Sequence, residues 1–156
     1  MAIKIFIDQG HNPVNPNAGA EGNGLREQDI TYSVGVILAD LLRQNGNFGV
    51  LTSRATPTTQ LGTSNSSSLA ARVNAANSWG ANYFISLHTN ASSNSSASGT
   101  EAYAYSRSSQ GFALGEVIVA ELSQITGLVN RGVFERPSLY VLRKTNMPAV
   151  LVEMGF

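Results

Sequence analysis

Short apolar runs alternate along this chain with longer segments in which apolar residues recur every three or four positions. The short runs predict buried strands, and the longer segments predict amphipathic helices. Strands that alternate with helices favour parallel pairing, because each helix carries the chain back across the sheet. We therefore expect an α/β fold, a single domain with a twisted, mostly parallel sheet flanked by helices on both faces. The predicted strands are residues 3–8, 48–52, 83–87, 100–105, 139–142 and 149–153, and the predicted helices are residues 27–44, 69–79 and 112–125.

The segments between these elements carry turn-forming residues. Residues 9–24 are rich in glycine and proline, residues 58–68 are polar, and residues 91–99 consist only of serine, asparagine, alanine and glycine. Such compositions predict irregular surface loops.

The length and composition exclude several classes of protein. With 156 residues, the chain is expected to form one domain over residues 1–156. A domain of this size buries a core without a metal or a disulfide, so a bound metal would be catalytic rather than structural. The formal net charge is zero and 13% of residues are charged, which argues against binding to nucleic acid or acidic lipid. The absence of cysteine excludes thiolate ligands and cysteine nucleophiles.

The sequence also bears on location and assembly. No apolar stretch approaches the roughly 20 residues of a membrane-spanning helix, so we expect no membrane insertion. The first residues enter a predicted strand at once, which predicts that this chain carries no signal peptide. No feature requires an oligomer, and we expect a monomer.

Side chains that bind metals or move protons follow three of the predicted strands. His11 and His88, the two histidines of the chain, follow the strands at residues 3–8 and 83–87, and Glu153 ends the last strand. The carboxyl ends of parallel strands line one crevice of an open α/β sheet, where ligands bind. Two imidazoles and a carboxylate at that edge predict a divalent metal site with a catalytic acid or base.

A third metal ligand has to be an acid near the histidines, since a catalytic zinc has three protein ligands and an open position for water. Glu27, at the start of the first predicted helix, is the better candidate, and Glu21 in the preceding loop competes with it. Zinc lowers the pKa of a bound water toward about 7, and a carboxylate outside the ligand set can take the water's proton. Glu153 would fill this role, and the predicted reaction class is metal-assisted amide hydrolysis.

Each of these residues also has a structural interpretation. A lone histidine at a strand end is more often a hydrogen-bonded core or surface residue, and Glu27 alone is more often a charge at a helix N-terminus. Glu153 could pair with Arg26 or Arg131. Burying an unpaired carboxylate costs several kcal/mol, so a glutamate after four apolar residues favours a functional role. The metal-site hypothesis therefore depends on these side chains lying together.

Several sequence blocks occur in an order and at a spacing typical of one family. They lie at residues 7–11, 85–91, 99–103, 131–133 and 147–156, with Glu27 between the first two. Through these blocks the chain resembles the zinc-dependent N-acetylmuramoyl-L-alanine amidases of the amidase-3 type over essentially its whole length. The resemblance implies cleavage of the amide between N-acetylmuramic acid and L-alanine, with bacterial peptidoglycan as partner and the cell wall as the place of action.

The resemblance also implies the roles of individual residues. His11, Glu27 and His88 stand at the positions of the zinc ligands, and Glu153 stands at the position of the catalytic glutamate. Glu27 rather than Glu21 occupies the matching position. The implied cofactor is Zn2+.

The chain departs from the family pattern in several places. Asn12 stands where a glycine usually follows the first ligand, and Gln9 stands where a small residue or proline is common. The family usually continues past Gly155 and Phe156 into a final helix, which we expect to be absent here. The loop at residues 58–68 is too short for the inserted autoinhibitory helix of some relatives, which predicts an open groove.

Other polar residues have less specific interpretations. Asn90 follows a proposed ligand on the crevice side and is a candidate contact for glycan or peptide. Arg131 is a candidate for binding a carboxylate of the stem peptide. Arg54 and Arg72 are interpreted as ion-pair or capping residues, and Glu101 either lies behind a histidine ligand or faces solvent.

Two other functions stay open on the sequence alone. A zinc endopeptidase of the stem peptide would share the metal and cut a different bond. A catalytically inactive wall-binding module would bind peptidoglycan without turnover. Zinc content and product identity distinguish these functions from the amidase.

Overall fold

The computed structural model describes residues 2–156, and its elements follow the expected alternation of strands and helices. The strands are β1 (Ile3–Gln9), β2 (Glu21–Gly22), β3 (Leu25–Arg26), β4 (Phe48–Thr52), β5 (Tyr83–His88), β6 (Thr100–Ala104), β7 (Asn130–Glu135) and β8 (Ala149–Glu153). The helices are α1 (Glu27–Asn45), α2 (Asn65–Trp79), α3 (Gln110–Thr126) and α4 (Tyr140–Lys144).

Six strands form one sheet in the order β4-β1-β5-β8-β6-β7, and β2 pairs with β3 in a separate ribbon. The first four strands of that order run in parallel, whereas β6 is antiparallel to β8 and parallel to β7. The expected α/β fold with a mostly parallel sheet is confirmed. Because β6 is reversed, it begins at the edge where β1, β5 and β8 end, which we call the carboxyl edge.

Apolar side chains cover both faces of the sheet. On one face, Phe6 and Phe84 stack with their ring centroids 5.5 Å apart and pack with Val73 of α2 and Leu142 of α4. On the other face, α1 packs on β1 and β4, and Val119 of α3 packs with the buried valines of β8. Successive residues of a strand point to opposite faces, so the central strands contribute to both layers.

Local hydrogen bonds determine the ends of α2. The hydroxyl of Ser64 accepts a hydrogen bond from the Ser67 backbone N–H at 3.1 Å, and the Ser67 hydroxyl accepts one from the Ser64 N–H at 2.9 Å. This capping box starts the helix at Asn65, earlier than the predicted start of residues 69–79. Gly80, with a φ of 67°, ends the helix in the left-handed region that favours glycine.

Two elements of the sheet region differ from the sequence prediction. The predicted strand at residues 139–142 is wrong, because this segment enters α4, where the adjacent residues Val141 and Leu142 are both buried. A short apolar run does not distinguish a strand from a buried helical turn. The strand β7 was not among the predictions, because this edge strand is largely exposed and lacks an apolar alternation.

The loop predictions hold with two exceptions, the first being residues 65–68, which belong to α2. Residues 91–99 form no regular element, as predicted, whereas the short ribbon of β2 and β3 interrupts the segment after residue 20. None of the helices described in residues 2–156 combines the length and apolar character needed to cross a bilayer.

Candidate active site

Three side chains from separate elements meet at the carboxyl edge. His11 follows β1, Glu27 opens α1, and His88 ends β5. The Glu27 carboxylate lies between the imidazoles, with Oε2 at 3.1 Å from Nε2 of His11 and Oε1 at 3.1 Å from Nδ1 of His88. One donor atom from each residue lies within 4.8 Å of the others, and we call these three residues the metal cluster.

The backbone of β1 and β5 brings the two imidazoles together. The strands pair in parallel, and the Gly10 N–H donates to the Leu87 carbonyl at 3.0 Å, directly before both histidines. A Cβ on Gly10 would lie 2.6 Å from Nε2 of His88, so glycine is required where the chain passes the ring. His11 has a φ of 68°, a conformation that is uncommon outside glycine and that turns the chain away from the strand.

Backbone donors hold the Glu27 carboxylate in place. Oε1 accepts a hydrogen bond from the Thr89 N–H and Oε2 accepts one from the Ala20 N–H, both at 3.0 Å. Burial opposes ionisation of Glu27, but the hydrogen bonds and charges of both histidines outweigh it and lower the carboxyl pKa. The competing candidate, Glu21, lies outside the metal cluster and pairs with Arg26 at the surface.

A buried ion pair supports the segment that carries His11. The Arg72 guanidinium donates to the Asp8 carboxylate at 2.7 Å and to the backbone carbonyls of Gln9 and His11, each at 2.6 Å. The second Asp8 oxygen accepts from the Ser86 hydroxyl at 2.7 Å. Burial raises the Asp8 pKa, but the Arg72 charge and these hydrogen bonds outweigh it, so the pKa falls below its ordinary value. Arg72 is therefore an ion-pair residue, as predicted.

The second interior arginine, Arg54, has no acidic partner among its hydrogen bonds. Its guanidinium donates to the backbone carbonyls of Gln28 and Pro57, at 2.8 and 2.6 Å, and lies 5.0 Å from the ring centroid of Tyr32. Arg54 thus ties the start of α1 to the loop after β4, which is a structural role.

Glu153 lies beside His88 in the register of β5 and β8. Its Oε2 is buried and has no hydrogen-bond partner among the described residues. Burial raises the pKa of the Glu153 carboxyl to about 7, with His88 opposing the rise and Glu27 adding to it. The ion pair of Glu153 with Arg26 or Arg131, which the sequence left open, does not form. Arg26 and Arg131 bind other acids instead.

Glu101 stands next to Glu153 in the antiparallel register of β6 and β8. Its carboxylate accepts hydrogen bonds from Nδ2 of Asn90 at 3.0 Å, from Nε of Arg131 at 2.6 Å and from the Tyr103 hydroxyl. Both sequence interpretations of Glu101 are therefore wrong: it is buried, and its partners are not histidines. We call these four residues the Glu101 cluster.

The structure thus brings all six predicted site residues to one edge. Three form the metal cluster, Asn90 and Arg131 belong to the Glu101 cluster, and Glu153 lies between the two groups. Sequence reasoning did not single out Tyr103 or the link between Asn90 and Arg131. The only available signal for Tyr103 was its spacing of two residues from Glu101, which places both side chains on the same face of a strand.

The metal cluster has the donor set of a zinc site, with one donor atom from each residue within 4.8 Å of the others. Ligand atoms about 2.0–2.2 Å from a tetrahedral zinc lie roughly 3.4 Å from one another. The two contacts of 3.1 Å from the Glu27 oxygens are close to that separation. Two imidazoles and one carboxylate are an established ligand set for catalytic zinc.

A groove with a volume of about 560 Å³ adjoins the metal cluster. Glu27 and Thr89 line its inner end, and Asn90 and the following polar loop line one side. Its lining is mixed, with apolar contributions that include Ile30 and Met154. The groove ends beside Glu27 of the metal cluster, and the open groove stays a prediction.

Comparisons with known proteins identify the family of this chain. The family model Amidase_3, described as N-acetylmuramoyl-L-alanine amidase, matches residues 5–156. The N-acetylmuramoyl-L-alanine amidase CwlM of Bacillus licheniformis is 37% identical over 156 residues, covering 99% of this chain and 56% of that protein. The chain spans about half the length of the curated relatives that it matches first.

Solved structures show the same fold. The catalytic domain of CwlV, an N-acetylmuramoyl-L-alanine amidase from Bacillus (Paenibacillus) polymyxa, has a TM-score of 0.83 at 32% identity, covering 98% of this chain and 80% of that one. The CwlD amidase of Clostridioides difficile, solved with the GerS lipoprotein, has a TM-score of 0.87 at 27% identity, covering 99% and 82%. On the family match over nearly its whole length, the chain belongs to the Amidase_3 family of N-acetylmuramoyl-L-alanine amidases.

Proposed function

We propose that this chain hydrolyses the amide between the lactyl group of N-acetylmuramic acid and the L-alanine of the stem peptide in peptidoglycan, with zinc as cofactor. The main support is the placement of Glu153, a half-buried residue whose Oε2 is buried and unpartnered among the described residues, directly beside the metal cluster. Family membership supports the choice of bond.

His11, Glu27 and His88 are the proposed zinc ligands. Zinc bound there would polarise the substrate carbonyl and lower the pKa of a water to about 7. The Thr89 and Ala20 N–H groups keep the Glu27 carboxylate oriented between the imidazoles. The positive φ of His11 and the carbonyl contacts of Arg72 hold the other side of the cluster.

Glu153 is the proposed general base and acid. Its Oε2 accepts a proton from the attacking water as the water oxygen forms a bond to the carbonyl carbon. The same oxygen then gives that proton to the L-alanine nitrogen as the carbon–nitrogen bond breaks. The products are a free muramic acid carboxylate and a stem peptide with a free amine. Burial near His88 keeps this oxygen out of contact with bulk water.

The proposed substrate also defines the partner of the protein and its place of action. We expect residues 1–156 to serve as a catalytic domain that acts on peptidoglycan in the bacterial cell wall. We expect it to do so as a monomer, which light scattering on the purified protein tests directly.

The decisive experiment is an analysis of products. Purified peptidoglycan is digested with the protein, with and without a chelator, and the newly freed groups are identified by mass spectrometry. Metal-dependent release of intact stem peptides with a free L-alanine amine is the expected result. Wild-type protein stripped of metal and reloaded with zinc serves as the matched control.

Other products would assign another function. Cuts within the stem peptide would identify a zinc endopeptidase. Saturable binding to peptidoglycan without zinc and without release would identify a wall-binding module. Release that is unchanged by the chelator would contradict the metal mechanism.

A further inference from the structure

The Glu101 cluster presents a cation next to the proposed base. The side chains of His88, Glu153 and Glu101 stand in a row, because their residues are register partners on three neighbouring strands. Arg131, at the start of β7, extends this row by its 2.6 Å contact with Glu101. The row therefore runs from the metal cluster to a guanidinium at the sheet edge.

A β-bulge aims the Arg131 side chain. In the pairing of β6 with β7, Thr100 faces Asn130 and Glu101 faces Gly132, so Arg131 is the extra residue. Gly132 has a φ of 94°, and its N–H donates to the Asn130 side chain at 2.9 Å. Bulges of this kind re-aim side chains beside active sites.

Gly99 leaves space for the same side chain. A Cβ at Gly99 would lie 2.6 Å from Cδ of Arg131, and the backbone of Gly99 has a φ of 130°. Two glycines thus serve the placement of Arg131. An arginine whose role was only to coat the surface would not need this geometry.

The Arg131 guanidinium keeps unused hydrogen-bonding capacity. Nε is bound to Glu101, one face covers the Phe156 ring at 5.0 Å, and Nη1 makes a single 3.5 Å contact with the Ser98 carbonyl. The Arg131 side chain is 41% exposed, whereas the Glu101 side chain is 7% exposed. Arg131 is therefore oriented by a buried anion while its terminal nitrogens stay accessible.

We infer that Arg131, held by Glu101, binds a carboxylate of the stem peptide and makes the enzyme prefer acidic stems over amidated ones. This inference rests on the proposed function. Glu101 is a positioning residue in it, and Asn90, bound to the same carboxylate, completes the subsite.

The dimensions of the sheet indicate which carboxylate is bound. Neighbouring strands lie about 4.8 Å apart, so β7 is roughly 10 Å from β8 and its Glu153. An extended peptide advances about 3.3–3.6 Å per residue. A group at Arg131 therefore belongs to the second or third residue counted from the scissile amide.

A carboxylate and the corresponding carboxamide differ strongly in how tightly a guanidinium binds them. A guanidinium binds a carboxylate through two parallel charge-assisted hydrogen bonds, whereas a carboxamide offers one neutral oxygen. We expect kcat/KM to be about 10- to 100-fold higher for the acid, mainly through a lower KM.

The test uses two soluble muramoyl peptides. In one, the carboxylates of the second and third stem residues are free, and in the other both are carboxamides. Arg131→Gln should reduce the acid-to-amide ratio of kcat/KM to about one, and Arg131→Lys should keep part of it. Arg143→Gln, at an exposed arginine in the last turn of α4, is the matched control and should keep the wild-type ratio.

A double variant tests whether Glu101 acts on the acid-to-amide ratio through Arg131. Glu101→Gln should lower the acid-to-amide ratio, and Glu101→Gln combined with Arg131→Gln should lower it no further than Arg131→Gln alone. Additive losses would show that Glu101 does not act through Arg131 and would overturn its assigned role.

Binding measurements distinguish the two proposals. Calorimetric titration of both peptides into Glu153→Gln, with and without Arg131→Gln, reports recognition without turnover. Equal affinity of Glu153→Gln for acid and amide would overturn the subsite. A preference that disappears with Arg131→Gln, in a protein whose wild type releases no L-alanine amine, would support the subsite and refute the amidase.

Discussion

The metal cluster and the Glu101 cluster lie on the same edge but are held in different ways. The metal cluster is attached to central strands and is supported by the interior ion pair of Arg72, whose side chain is 1% exposed. The Glu101 cluster is attached to β6 and to the edge strand β7, and its arginine is 41% exposed. The difference teaches that the proposed chemistry is held by buried contacts of the sheet centre, whereas the proposed recognition lies at an exposed edge, where side chains can change at little cost.

The largest effect is expected from removing a metal ligand. His88→Ala should lose bound zinc, because two donors remain where three are needed. Amidase activity should fall to the level of chelator-treated wild type. Metal content by mass spectrometry and release of stem peptide measure the two losses. A variant that keeps stoichiometric zinc and turnover would remove His88 from the ligand set.

Glu153→Gln should separate catalysis from metal binding. Glutamine has nearly the same shape but does not accept the proton, so we expect kcat to fall about 10²- to 10⁴-fold. The zinc content should equal that of the wild type. Wild-type kcat in a zinc-loaded variant would rule out Glu153 as the base.

Arg72→Met should show how far the sheet centre depends on its buried charge. The variant leaves Asp8 ionised and unpaired inside the protein, which costs about 3–5 kcal/mol of unfolding free energy. Since the pKa of Asp8 is lowered in the folded protein, the pair stabilises above the ordinary pKa of 3.8. Its contribution disappears as the pH falls through the lower folded value.

The loss of stability in Arg72→Met should therefore be largest near neutral pH and shrink below about pH 4. Urea unfolding across the range of pH measures this difference. Arg54→Met is the matched control, because Arg54 is equally buried and donates to carbonyl groups. If both variants showed the same dependence on pH, the ion pair would not be its source.

The smallest effect is expected at the sheet edge. Tyr103→Phe removes one of the hydrogen bonds to Glu101 and should cost about 0.5–1.5 kcal/mol of unfolding free energy. Zinc content should not change. A loss of zinc from this variant would show that the two clusters are coupled rather than independent.

Much of the fold and of the metal cluster could be predicted from the sequence. The two histidines follow strands that periodicity identifies, and parallel pairing brings such positions to one edge. The choice of Glu27 over Glu21 required the family resemblance, because both lie in or next to the same loop. The geometry of the site agrees with the choice of Glu27, because Glu27 and not Glu21 contacts both imidazoles.

The Glu101 cluster could not be predicted in the same way. Its contacts depend on the reversed direction of β6, on the register with β8 and on a bulge in an edge strand that lacks an apolar alternation. Short segments do not encode strand order or register locally. The wrong strand at residues 139–142 has a similar origin, because tertiary packing decided between helix and strand there.

The reversed direction of β6 determines which segment beside the proposed active site can vary in sequence. The connection from His88 to Thr100 leaves and re-enters the sheet at the same edge. Residues 89–99 therefore form a loop beside the metal cluster and Glu153. Its ends are tied by the Asn90 N–H, which donates to the Gly155 carbonyl, and by the Thr100 N–H, which donates to the Val129 carbonyl. Between these two hydrogen bonds, the length and composition of the loop can vary without shifting a strand. The fold thus leaves the segment beside the proposed active site free to change in length and sequence while the strands stay in place.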